Sequence, residues 1–162
     1  TKDATTFLRG DNTFAEAGKV LQAQTFVTTG NSTSTTSTTY TDTVSSINIT
    51  PLSSNSKILV FADHGVAISA GAVQTRIDIR IHETTTSTSV TDKKYIGNDG
   101  TAVASVNCQI GLSGGFTNSS TAQKTFKVQV RKANGNVNES GSIYLNWYNN
   151  ALHTMMAIEV QA

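Results

Sequence analysis

Cysteine, proline, charge and long apolar runs are all scarce in this chain, and each scarcity removes a class of protein. The single cysteine, Cys108, cannot make an internal disulfide, so no disulfide framework holds the fold. Only 14% of residues are charged and the net charge is +1, so no long-range field draws the chain to a phosphate backbone or an anionic membrane. Nucleic acid is therefore not an expected partner. No apolar run approaches the roughly 18 residues of a membrane span, which argues against membrane insertion. At 162 residues and 17.2 kDa, one domain can bury a core without metals or disulfides. The opening Thr-Lys-Asp has neither an initiator methionine nor a signal peptide, and reads as a fragment whose missing part lies upstream.

Threonine, serine and asparagine are abundant, proline occurs once at Pro51, and aromatic residues make up 7%, a composition of sheets and loops. Segment after segment alternates with period two. Thr75, Ile77, Ile79 and Ile81 oppose Gln74, Arg76, Asp78, Arg80 and His82; Ala104, Val106, Cys108, Ile110 and Leu112 oppose Ser105, Asn107 and Gln109. Phe126, Val128 and Val130 oppose Lys127, Gln129 and Arg131, and Ile143, Leu145 and Trp147 oppose Tyr144, Asn146 and Tyr148. The last segment sets Leu152, Thr154, Met156, Ile158 and Val160 against His153, Met155, Ala157 and Glu159. Lys57 to Ala62, "KILVFA", has almost no polar side, so it must be covered once by its own sandwich and once by something else, most economically another subunit. The pattern predicts about ten strands, at 20–29, 39–43, 47–50, 57–66, 73–83, 93–96, 102–112, 122–132, 142–149 and 152–161. Only "TFAEAGKVL" has helical character, and it is too short and too limited by its glycine to hold as a helix alone. Many short antiparallel strands without a fixed repeat predict an all-β sandwich or jelly roll.

The segment "TFLRGDNTFAEAG" resembles the "LRGDGTW" joint that precedes the C-terminal head of bacteriophage tail fibres. Asn12 stands in place of the usual glycine and Phe14 in place of tryptophan. The runs "INITPLSSNSKILVFADHGVAI" and "NNALHTMMAIEVQA" are similar to phage fibre tips with a tumour necrosis factor or complement-like jelly-roll head. The resemblance implies a homotrimeric receptor-binding tip acting from the virion at the host cell surface. It divides the chain into a neck at 1–19, joined to an upstream fibre shaft, and a head at 20–162. Leu8 and Phe14 would pack at the neck, and Arg9 and Asp11 would form ion pairs between chains there.

If the strands alternate up and down from a base where the shaft enters, the C-terminus returns to that base. The loops 31–38, 51–56, 84–92, 113–121 and 149–151 are then apical, and 45–46, 69–72, 97–101 and 133–141 basal. Most of the apical loops are rich in hydroxyl and amide side chains suited to sugars or polar polymers, with aromatic rings as stacking platforms. Phe116, Asn118, Tyr148, Asn149, Asn150 and Tyr40 are the candidate receptor contacts, the receptor being a bacterial surface saccharide or outer-membrane protein.

Catalytic signals are weak, and no enzyme activity, cofactor or metal is expected. Asp78 and His82 share a strand face but lie roughly 13 Å apart along it, too far for one metal. His64, His82 and His153 read as packed or solvated side chains, Cys108 as a small buried hydrophobe, and Arg76, Asp78 and Arg80 as a solvated or intersubunit ion-pair patch. No nucleophile-elbow pattern occurs. Two alternatives stand beside the fibre tip. A polysaccharide depolymerase needs clustered carboxylates in a groove. A trimeric adhesion ligand would read Arg9-Gly10-Asp11 as an integrin motif, yet that tripeptide precedes the first strand of the head, where no protruding loop is expected. Asn31-Ser32-Thr33, Asn48-Ile49-Thr50 and Asn118-Ser119-Ser120 match glycosylation sequons that arise by chance in so Ser/Thr-rich a chain.

Overall fold

The period-two pattern is used strand by strand in an antiparallel, all-β computed structural model. It describes residues 6–8, 14–16, 19–29, 33–69, 74–99, 105–133, 143–145 and 152–162, with side chains over 19–29, 34–66, 77–93, 109–133 and 152–162. The strands are β1 Thr6–Leu8, β2 Phe14–Glu16, β3 Val20–Thr29, β4 Thr33–Thr35, β5 Thr41–Ile49 and β6 Ser56–Ser69. They continue as β7 Gln74–Glu83, β8 Thr88–Asp99, β9 Ser105–Thr117, β10 Lys124–Lys132, β11 Ile143–Leu145 and β12 Leu152–Gln161.

One sheet runs β3-β12-β6-β9 and the other β5-β10-β7-β8. β11 continues the line of β12 along the same edge of β6 and carries β4 beside it. Among the eight sandwich strands, β3 pairs with β12, β5 with β10, β6 with β9 and β7 with β8, so first meets last throughout. That is one long antiparallel hairpin rolled over on itself, the topology of a jelly roll.

The layer between the sheets is aliphatic. Ile77, Ile79 and Ile81 of β7 and Phe126, Val128 and Val130 of β10 expose no surface, and they join Ile58, Val60 and Ala62 of β6 in one core cluster. Each such isoleucine, valine or phenylalanine side chain is worth roughly 1.5–3 kcal/mol of transfer free energy. Phe116 of β9 meets Phe126 edge-to-face across the layer, with centroids 5.6 Å apart.

Four expectations are corrected. The segments 39–43 and 47–50 are one strand, β5, and 45–46 is no turn. A bulge sets Lys127 opposite Ser46 but Gln129 opposite Asp42, so β5 carries extra residues there. The bulge puts Ser45 inside and Val44 outside, which is why the alternation reads as broken. Second, the described part of "TFAEAGKVL" is extended: Phe14–Glu16 forms β2, which pairs antiparallel with β1, Leu8 opposite Phe14. Third, β12 is turned over. His153, Met155, Ala157 and Glu159 point into the core, while Leu152, Thr154, Met156, Ile158 and Val160 lie on the outer side.

The fourth follows from the first, because losing one turn reverses the up-and-down order after it, until β11 and β12, which both run antiparallel to β6 and so in one direction, bring the C-terminus back into step. The C-terminus does return to the start of β3, where Gln161 N donates to Lys19 O at 2.9 Å. The loops 50–55, 84–87 and 118–123 lie at this same end, since Gln22 reaches Thr50 O and Asn118 N reaches Ser56 O. They are basal rather than apical. The strand ends at Ser69, Gln74, Asp99, Ser105 and Lys132 point to the opposite, distal end, with the segment 33–40. Residues 84–92 and 113–121 are also mostly strand, in β8 and β9.

Two substitutions test the edge packing and the β7–β8 turn. A Cβ on Gly114 would lie 2.6 Å from Val90 O, where β8 closes over β9, so Gly114→Ala should cost about 1–3 kcal/mol and lower the melting temperature. Ser87 has φ 55°, a left-handed conformation that glycine adopts without strain, so Ser87→Gly should be neutral or gain up to about 1 kcal/mol in chemical denaturation.

Candidate functional site

The alternation that buries Ile77, Ile79 and Ile81 sends Asp78, Arg80 and His82 to the outer face of the β5-β10-β7-β8 sheet. β10 adds Lys127, Gln129 and Arg131 there, and β5 adds Asp42. Like-sided positions in adjacent strands are about 5 Å apart, close enough for a continuous network. Lys127 Nζ contacts Asp42 Oδ2 at 2.6 Å, Gln129 Nε2 donates to Asp42 Oδ1 at 2.6 Å, and Arg80 Nε donates to Gln129 Oε1 at 2.8 Å. Arg131 pairs with Asp78 Oδ2 at 2.7 Å.

Tyr40 lies over this network. The Arg80 guanidinium carbon is 3.8 Å from its ring centroid and that of Arg131 4.5 Å, and its hydroxyl donates to Asp92 Oδ1 at 3.3 Å. Burial, and then the Asp92 charge, raise the Tyr40 pKa, so the phenol stays protonated and donating. Asp42 is desolvated, yet the bonds from Lys127 and Gln129 outweigh that and hold its carboxyl below the usual range. His82 is pushed down by burial and by Arg80, and its Nδ1 has no partner; Asp78 Oδ1 likewise has none. The face is polar but ordered, and it runs towards the distal end.

The other candidates for chemistry are committed to the architecture. Glu159 accepts from Gln22 Nε2 at 2.7 Å, Leu52 N at 2.9 Å and Ser53 N at 3.1 Å, which ties β3 and the β5–β6 loop to β12. Glu83 accepts from Thr85 N at 2.9 Å, Thr86 N at 2.7 Å and Thr86 Oγ1 at 2.6 Å, which shapes the β7–β8 turn. Burial raises both carboxyls, but these hydrogen bonds more than offset it and leave both below their ordinary value. His64 and His153, each 1% exposed, sit side by side with Nδ1 atoms 2.9 Å apart. One nitrogen must donate and the other accept, so the rings are neutral and of opposite tautomer. Burial, then the facing His153, pushes His64 down to about 3. Among the described residues no group of three or more His, Cys, Asp or Glu could hold a metal ion.

The expected receptor contacts divide. Phe116 is a core residue of β9, 8% exposed, not a loop platform. Asn118 is 2% exposed and turned inward, donating to Ser53 O at 2.7 Å and Ser56 Oγ at 3.3 Å. Both are removed from the candidate surface. Tyr148, Asn149 and Asn150 lie outside the described residues, as do Arg9 and Asp11 and the side chains of Leu8 and Phe14. Tyr40 remains, joined by Arg80, Arg131, Gln129 and Asp92. Its signal was present in the sequence as the charged face of β7; its pairing with β10 was not.

No protein-family model and no curated protein matches the chain. Among solved structures it is similar to the VP2 subviral particle of infectious bursal disease virus, with a TM-score of 0.46 and 13% identity over 93% of this chain and 40% of that one. It is also similar to the Gt strain structure of that virus, with a TM-score of 0.43 and 13% identity over 95% of this chain and 42% of that one. The chain spans about two-fifths of the length of these structures. A likeness at these scores carries no argument about activity, partner or location.

The buried histidines and carboxylates set an acid response. On unfolding, the His64 pKa rises from about 3 to 6.5, so between those values the unfolded chain takes up a proton and stability falls as pH is lowered. Glu83 and Glu159 add a further loss as pH falls below 4.5 through their folded values. Thermal melts should show stability declining below pH 6.5 and steepening below 4.5. His64→Asn should flatten the first stage by up to ~1.4 kcal/mol per pH unit, the limit for one proton.

Proposed function

We propose that this chain is the receptor-binding tip of a phage tail fibre, a non-enzymatic homotrimer that attaches the virion to a polysaccharide or protein of the bacterial surface. The observation that carries the reading is the apolar outer face of the β3-β12-β6-β9 sheet. Met156 stands opposite Phe61, Ile158 opposite Leu59 and Thr154 opposite Val27. Phe61 is 39% exposed and Val27 59%. Along the middle of β9 the same face carries the small residues Gly111, Ser113 and Gly115, which leaves a shallow concavity of about 630 Å³ against Phe61 and Met156.

A lone sandwich leaves this face in water, where contiguous apolar surface marks an interaction site. Closed cyclic assembly of identical chains covers it without a second protein. The polar face with Tyr40 then stays outside, in one copy per subunit. Both the entry at Lys19 and the end at Gln161 sit at the base, which leaves the distal end free of the shaft. The β1–β2 pair falls within the joint motif that the sequence shares with tail fibres. Several copies on one particle convert modest affinity into firm attachment.

Light scattering should return three times 17.2 kDa, and Phe61→Glu should return a monomer with its sheet spectrum intact. The purified trimer should bind intact host bacteria saturably and compete with virion adsorption, with the monomeric variant at least about tenfold weaker. A wild-type chain that stays monomeric at micromolar concentration, or that fails to compete, would sink the proposal.

A further inference from the structure

We infer that Arg80, with Tyr40 and Asp92, forms a recognition site for the carboxylate and adjacent hydroxyls of an acidic saccharide. The inference rests on the receptor-binding reading for its biological role and on the geometry of the outer face for its chemistry.

Arg80 is held but not neutralised. The ion pairs among the described residues are Lys127–Asp42 and Arg131–Asp78, and Arg80 belongs to neither. Asp92 is its direct cross-strand neighbour in the β7–β8 register, yet the nearer bond of that carboxylate is to the Tyr40 hydroxyl, through Oδ1. The Arg80 Nε is used by Gln129, whose own amide is anchored on Asp42. The guanidinium plane is further fixed against the Tyr40 ring at 3.8 Å. One of its five N–H donors is thereby spent; the four on the Nη atoms have no partner among the described residues. A guanidinium immobilised in advance, with its fork free, matches a planar carboxylate in two parallel bonds and loses little entropy on binding.

Asp92 selects the kind of anion. A bare oxyanion next to Arg80 would meet its repulsion. A uronate sugar instead carries hydroxyls beside its carboxylate, and those can donate to Asp92 Oδ2, which has no partner among the described residues. The pair Arg80 and Asp92 therefore fits a ligand with an acceptor and a donor side by side.

Titration calorimetry on the intact 162-residue chain at low salt, with trigalacturonate as probe and neutral maltotriose as control, tests this. Wild type should bind trigalacturonate and not maltotriose, and the affinity should fall as salt rises. Arg80→Gln should weaken binding at least about tenfold, the loss of one charge-assisted pair. Arg80→Lys, which keeps the charge and loses the fork, should still lose several-fold, and it serves if the glutamine variant fails to fold. Asp92→Asn should weaken binding as well; tighter binding in that variant would mean a simple anion site and overturn the inference. Equal heats for the two sugars, tighter binding of glucose 6-phosphate than of trigalacturonate, or undiminished affinity in both Arg80 variants would also overturn it. The measurement needs no host cell, so a negative result here leaves attachment through another receptor standing, and a chain that attaches to no cell leaves this result readable.

Discussion

A two-sheet sandwich can cover only one face of each sheet, and what becomes of the two remaining faces decides the character of this molecule. The inner faces are solved in the ordinary way, with isoleucine, valine and phenylalanine at every second position of β6, β7 and β10. The outer faces differ from each other. One carries a connected set of charges from Asp42 through Gln129 to Arg80 and Tyr40, while the other carries Phe61, Leu59, Met156 and Ile158. Water and cross-strand bonds meet most of the first, with Asp78 Oδ1 and His82 Nδ1 buried within it. The second is the larger cost to an isolated chain, because its exposed apolar surface, set among Lys57, Asp63 and Thr154, gains nothing from water.

Much of this was legible from the sequence where alternation was strong. The strands at 73–83 and 122–132 fall within two residues of β7 and β10, since a strict period of two fixes both existence and face. The doubly apolar "KILVFA" also carried its message, in that Leu59 and Phe61 lie outside the sandwich. Failures came where the period was interrupted or where polar residues faced inward. A bulge in β5 imitates a turn, and one false turn is enough to exchange base and apex for the described loops 50–55, 84–87 and 118–123. β12 was misjudged because its inward face holds His153 and Glu159, which the core accepts only with partners: the His64 ring for one, backbone amides of the β5–β6 loop for the other. Neither partner is near in sequence, so no local pattern could reveal it.

The Ser- and Thr-rich loops show the same limit. Hydroxyl and amide side chains suit a binding surface, but they suit equally a loop that must satisfy its own backbone. At the base they do the latter. Asn118 bonds Ser53 O and Ser56 Oγ, the amides of 52 and 53 are gathered by Glu159, and those of 85 and 86 by Glu83. Two buried carboxylates and one buried amide thus stiffen the end at which the chain enters and leaves. Composition alone cannot separate a stapled loop from a binding loop. The difference lies in whether a buried acceptor stands beneath it.

The distal flank has the opposite arrangement, and the contrast gives the functional argument its direction. At the base each anion is enclosed and saturated by donors. Around Tyr40 the donors are oriented by neighbours while the outer edge of Arg80 remains unpaired. A half-buried guanidinium braced in this manner, with no carboxylate paired to it among the described residues, gains little stability beyond its stacking and its one bond to Gln129. Its ordering is better accounted for by what it prepares, a fixed fork that needs no rearrangement to meet a carboxylate. If copies of the chain assemble through the apolar face, each presents that fork on the side turned away from its neighbours. An affinity too weak to hold one subunit can then hold the whole assembly.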